Sequence, residues 1–163
     1  MKLFALAVLA SAAFACIMPA QAANLTTQDY IDIEQLYSTY NQAIDTGDAQ
    51  GWAATFTPDG SFNRFVGKDA LVGFIDQWRD KMGGANRRHW NTNLKITGTP
   101  EGASGIVYLM LMDVSTKPVS VINTGTYTDT LVKTADGWRF KTRTTHSDTP
   151  PPVAPAAAPP AKP

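Results

Sequence analysis

Apolar and polar positions change period near the middle of the chain, and the change separates helices from the strands that follow. Across "TTQDYIDIEQLYSTYNQAIDTGD", Ile33, Leu36, Tyr37, Tyr40 and Ile44 recur at the 3.6-residue spacing of a helix with one buried stripe. Thr26 or Thr27 supplies its cap, Asp29 and Asp32 suit its positive end, and Gly47 offers a left-handed exit. Asp48 caps a second, shorter helix through "AQGWAATF". "TPDGS" reads as a turn, and Ser61 to Val66 as a short strand. "GKDALVGFIDQWRDKMGG" predicts a third helix, with Leu71, Phe74, Ile75 and Trp78 on one side and Gly83-Gly84 ending it.

Beyond that point the texture is that of strands. Four are predicted: His89 to Thr97, Ser104 to Val114, Val119 to Lys133, and Trp138 to His146. Asp136-Gly137 supplies the positive-φ position of the last hairpin. Three helices followed by a strand meander indicate an α+β domain, its long antiparallel strands curving strongly around the first helix.

The two ends fall outside this pattern. "MKLFALAVLASAAFACIMPAQAA" has the layout of a secretory signal, with residues 1–22 removed after Ala22 and the protein secreted or periplasmic. A retained anchor is one alternative, opposed by the brevity of the apolar run. Lipidation at Cys16 is another, opposed by the missing leucine in "AAFAC". Residues 149–163, "TPPPVAPAAAPPAKP", are nearly all Pro and Ala and read as a solvated, disordered tail. Residues 23–148 remain as one domain large enough to bury a core.

Composition then narrows the chemistry. Cys16 is the single cysteine, so removal of the leader would leave no thiol and no disulfide. Fourteen Lys and Arg residues balance fourteen Asp and Glu residues, which offers no electrostatic case for nucleic acid or, after signal removal, for a membrane. His89 and His146 stand alone, without metal-ligand spacing, so neither a metal site nor a cofactor is expected.

"YNQAIDTGDAQGWAATFTPDGSF", "GKDALVGFI", "RRHWNTNLKI" and "GTYTDTLVKTADGWRFKTRT", in this order, resemble the SnoaL-like branch of the nuclear transport factor 2-like superfamily. Polyketide cyclases, ketosteroid isomerase and scytalone dehydratase belong to that superfamily. The resemblance covers essentially the whole domain. It implies a cone: a strongly curved antiparallel sheet closed by three N-terminal helices around a pocket for a small apolar or aromatic molecule.

The resemblance also suggests roles. His89 is similar in place to a proton-transferring histidine of scytalone dehydratase, although its neighbour is Trp90 where relatives often have a second histidine. Asp45 resembles the helix-end aspartate beside that histidine. Tyr40 resembles the phenolic donor of ketosteroid isomerase, where a phenol stabilises an oxyanion. Asp113 lies near a second catalytic histidine of scytalone dehydratase, which this chain lacks. Arg64 stands roughly where ketosteroid isomerase has its general base; an arginine cannot take a proton from carbon, and it either binds a polar ligand group or sits at the rim. Tyr37, Trp90 and Asn91 complete the ligand-binding candidates.

Each candidate has a structural alternative: a core tyrosine, a helix-end acid, a strand histidine. Simple alternation puts His89, Asn91 and Asn93 on one strand face and Trp90, Leu94 and Ile96 on the other, so His89 reaches an apolar pocket only if a bulge reverses the phase. Asp129 and Arg143 are near-opposite across the last hairpin and read as a structural pair. The function implied is binding of a small apolar molecule, with cofactor-free dehydratase, isomerase or cyclase chemistry, or else a non-catalytic binding or assembly module. A homodimer through the sheet face is expected from the apolar row Val107, Leu109 and Leu111.

Overall fold

The computed structural model describes residues 24–149. The expected leader, and all but the first residue of the expected tail, lie outside them. Helix α1 spans Thr27–Thr46 and α2 Ala49–Ala54. Strands β1 (Phe56–Phe62) and β2 (Phe65–Val66) follow, then α3 (Lys68–Lys81) and a single 3₁₀ turn at Gly84–Asn86. Strands β3 (Arg87–Thr99), β4 (Gly102–Asp113), β5 (Ser120–Thr134) and β6 (Gly137–Ser147) complete an α+β cone.

Local chemistry explains the helix ends. Thr26 caps α1 in a reciprocal capping box with Asp29, and Gly47 ends it in the left-handed region at φ 74°. Asp48 caps α2 through the Gly51 amide. The stripe Ile33, Leu36, Tyr37, Tyr40 and Ile44 is buried as its spacing predicts, packed with Val107, Leu109, Leu111, Tyr127, Leu131 and Phe140 of the sheet in one core.

The sheet runs β2-β1-β6-β5-β4-β3; it is antiparallel except where β1 joins β6, and it does not close on itself. The expected turn at "TPDGS" lies instead inside β1. There Phe56 pairs with Phe140 and Ser61 with Thr142, so residues 57–60 bulge away while β6 advances by two. Exposed Pro58 and Asp59 mark that bulge, which is why composition made it look like a turn.

Two further bulges change which side chains face the helices. On β3, Thr92 pairs with Tyr108 and Lys95 with Ile106, one residue too many, and Asn93 takes up the excess at φ 56°. On β6, Thr142 pairs with Thr130 and Phe140 with Leu131, leaving Lys141 as the extra residue. Inward positions are therefore even before Lys141 (Trp138, Phe140) and odd after it (Arg143).

Val107, Leu109 and Leu111 correct one expectation. They are buried against the helices rather than on a free face. The outer face of the sheet carries Trp90, Ile106, Tyr108 and Val121 instead. The alternation along β4 holds, but its apolar side faces inward, because α1 lies on the face formed by the odd-numbered residues of β4.

Candidate functional site

The bulge at Asn93 decides where His89 points. Ahead of it, Arg87, His89 and Asn91 face the helices; after it, Leu94 and Ile96 do. An apolar strand face and an inward histidine thus coexist on one strand. His89 is 7% exposed, beside a cavity of about 210 Å³.

Asp45 meets it from the last turn of α1. An acid there lies at the unfavourable, negative end of the helix dipole and needs donors. Both of its donors come from one residue. The His89 backbone amide donates to the carboxylate at 3.1 and 3.2 Å, and His89 Nδ1 lies 2.7 Å from Asp45 Oδ1. A carboxylate only accepts, so Nδ1 carries a proton, and in the neutral ring Nε2 keeps its lone pair. Trp78 packs on the other side of the imidazole, ring centroids 5.8 Å apart. Gly84 makes that possible: a Cβ there would lie 2.3 Å from the Trp78 ring.

The remaining lining is apolar with a few polar points. Ile44, Phe62, Phe74, Met82, Leu109 and Leu111 supply the walls, and Asn63, Asn123, Tyr127 and Thr145 supply hydroxyl and amide groups. Motif comparison did not single these out. Period-2 alternation on β4 and β5 points to Leu109, Leu111 and Tyr127, whereas Asn63 reaches the cavity through a left-handed turn at φ 50° that composition does not reveal.

Tyr40 is placed otherwise than expected. It is fully buried one turn before Ile44, its hydroxyl has no partner, and it does not line the cavity. Burial pushes that phenol up to about 12. Tyr127 stands in front of it, ring centroids 6.1 Å apart, and reaches the cavity. Burial also holds the Tyr127 phenol well above its ordinary value, so it stays a donor.

Behind both lies a buried ion pair. Arg143 donates from Nε and Nη2 to Asp129 at 2.8 and 2.7 Å, neither side chain having any exposure, and Tyr37 donates to the same carboxylate. Burial opposes the Arg143 charge, but Asp129 more than restores it. The guanidinium sits over the rings of Tyr40, Tyr127 and Phe140 at 4.1 to 4.4 Å. The expected cross-strand pair is therefore a direct one, brought into register by the bulge at Lys141.

Five other candidates lie away from the cavity. Trp90, next to His89, faces outward and is 59% exposed, as strand alternation requires. Arg64 is exposed in the β1–β2 turn, its guanidinium 4.9 Å above the Phe65 ring. Asp113 pairs with Arg87 and accepts from Ser115; Ser115 first and Arg87 after it hold its carboxyl below the usual range. Asn91 bonds to Asn41 and, with Tyr37, lines a different cavity that shares no residue with the first.

A concavity of about 570 Å³, larger than the His89 cavity, is on the outer face around Tyr108 and Met110. Its lining has no histidine and a single carboxylate, Asp148, so size alone does not mark it as the chemical site. Among the described residues no group of His, Cys, Asp or Glu could hold a metal ion, and no helix is long and apolar enough to cross a membrane.

Residues 26–144 match the family model described as a SnoaL-like domain. The chain belongs to the SnoaL-like domain family. Solved structures agree on the fold of this SnoaL-like domain. A Nostoc punctiforme protein of unknown function with a cystatin-like fold is 23% identical, covering 80% of this chain and 98% of its own, with a TM-score of 0.71. Aln2 from a Streptomyces species is 25% identical over 76% of this chain and 94% of its own, TM-score 0.69. A Catenulispora acidiphila protein solved in complex with S-DNPA is 25% identical over 76% of this chain and 96% of its own, TM-score 0.66. No curated protein matches the chain significantly.

Proposed function

We propose that this SnoaL-like domain binds a small, largely apolar carbonyl compound in the His89 cavity and moves a proton on it without a cofactor. The observation that carries the reading is the His89–Asp45 contact, which leaves Nε2 as the free nitrogen of a cavity-lining residue. In the step envisaged, a C–H bond next to the carbonyl breaks and its proton goes to Nε2. Its electron pair moves onto the carbonyl oxygen, where Tyr127 donates a hydrogen bond. The proton then goes to a different carbon of the conjugated enolate, giving isomerisation, or to a β-hydroxyl that leaves as water while the enolate pair re-forms the carbonyl and a new C=C bond, giving dehydration. The small-molecule complex of the Catenulispora relative supports the binding half of this reading.

Hydrogen–deuterium exchange tests it. β-Tetralone in D₂O should lose its α-hydrogens faster with the wild-type protein than with His89→Ala, followed by NMR. Saturable binding with exchange no faster than buffer would leave a non-catalytic ligand-binding domain, the alternative reading.

Two broader proposals accompany it. The outer face, with Trp90 at 59% and Tyr108 at 52% exposure, pairs two copies of the domain. Sedimentation of wild type against Tyr108→Lys checks that. The protein is exported and loses residues 1–22, supported by the charge and apolar run of that segment; an intact mass measured from its own host checks it.

A further inference from the structure

The second cavity, about 200 Å³, lies between α1 and β3–β4 and is lined by Glu34, Tyr37, Ser38, Asn41, Asn91, Leu94 and Val107. Its hydrogen-bond polarity follows from one backbone carbonyl. Asn91 Nδ2 donates to Tyr108 O at 3.3 Å, which turns Asn91 Oδ1 toward Asn41. Asn41 Nδ2 must then donate to that oxygen, at 2.7 Å. The chain of donors fixes both amides, and it leaves Asn41 Oδ1 buried without a partner. An unpaired buried acceptor is costly, and a donor from a ligand would relieve the cost.

The neighbouring polar groups share this polarity. Ser38 donates its hydroxyl proton to Glu34 O at 3.1 Å, so toward the cavity it offers lone pairs. The Tyr37 hydroxyl proton is spent on Asp129. Glu34 adds a carboxylate at the exposed side. The nearest buried cation, Arg143, lies 4.7 Å from the Tyr37 ring, with its charge balanced by Asp129. Leu94 and Val107 provide an apolar wall.

We infer that this second cavity is a binding site for a small primary alkylammonium ion. The ammonium group carries three donors and no acceptor, matching Asn41 Oδ1, Ser38 Oγ and Glu34, while a short alkyl chain rests on Leu94 and Val107. The site is independent of His89.

Butylammonium, 1-butanol and butyrate test it as isosteric probes, titrated against the full chain with the side-chain amides followed by NMR. Butylammonium should shift the Asn41 and Asn91 amide signals saturably, and about tenfold more tightly than 1-butanol, because its hydrogen bonds are charge-assisted. Glu34→Gln, on the exposed side, should weaken it about two- to fivefold. Asn41→Ala should abolish the effect, and His89→Ala should leave it unchanged. Equal binding of butylammonium and 1-butanol, preference for butyrate, or no saturable shift at all would each overturn the assignment. Loss of the effect in His89→Ala would also do so, by moving the ligand to the other cavity.

Discussion

Asp45 holds His89 twice, by the backbone amide at 3.1 Å and by Nδ1 at 2.7 Å, so one carboxylate sets both the position of an edge strand and the tautomer of the imidazole on it. The two roles can be separated. Asp45→Asn keeps an acceptor for the amide but lets the ring take the other tautomer. We predict that β-tetralone exchange falls by about 10²-fold in Asp45→Asn, comparable with the loss of a general base. The far-ultraviolet circular dichroism should be unchanged. Equal exchange in the two proteins would mean that Asp45 is only a structural acceptor.

The bulge at Asn93 carries the next prediction. A left-handed residue costs an ordinary side chain about 1–2 kcal/mol, least for Asn and almost nothing for Gly. Asn93→Gly should therefore match or exceed wild-type stability in urea, and Asn93→Val should lose about 1–2 kcal/mol. Deleting Asn93 should remove the excess residue and leave a regular register from Thr92–Tyr108 to Lys95–Ile106, with His89, Leu94 and Ile96 still facing the helices and the exchange reaction retained. An imidazole turned out to solvent, with ligand binding and exchange lost, in a deletion variant that still folds would contradict this.

These residues also show how far the sequence could be read. Helix α1 and the last hairpin were legible because their signals are local: a cap at Thr26, a stripe of period 3.6, and Gly137 at φ 101°. Likewise Asp45 and His89 were recognisable one by one. What remained hidden was sidedness. A strand's period is two, so one extra residue at Asn93 or Lys141 exchanges its faces, and nothing in local composition marks which strand absorbs it. The same ambiguity sent Val107, Leu109 and Leu111 to the wrong face and made Trp90 look like a ligand contact. Tyr40 shows a different limit: helical spacing places it on the buried stripe, but only packing shows Tyr127 standing between it and the cavity.

The buried pair Asp129–Arg143 should be costly to break and cheaper to remove whole. Arg143→Met leaves Asp129 charged and accepting only from Tyr37, and should destabilise the domain by about 3–5 kcal/mol in urea unfolding. Replacing both, as Asp129→Leu with Arg143→Met, should cost less than the single change. A double variant less stable than Arg143→Met would count against this electrostatic account.

Acid sensitivity should trace partly to Asp29. Lys133 first, then Thr26 and Trp138, hold its carboxyl far below the ordinary value of 3.8. A depressed folded-state pKa gives stability that is present above the unfolded pKa and is lost as pH falls through the folded one. Melting temperature should therefore drop as pH is lowered below about 4, and Asp29→Asn, less stable at neutral pH, should show a flatter dependence there. Parallel profiles for the two proteins would remove Asp29 from the explanation.

The central claim is that His89 presents an unprotonated Nε2 to a cavity that accepts a small aromatic molecule. Nitrogen-15 NMR of the histidine rings during titration with 2-naphthol tests both parts at once. We predict that His89 shows the Nδ1–H tautomer and that its Nε2 signal moves saturably with the ligand, while His146 does not respond. A His89 ring in the Nε2–H form, or one that stays unmoved while 2-naphthol binds elsewhere, would contradict it.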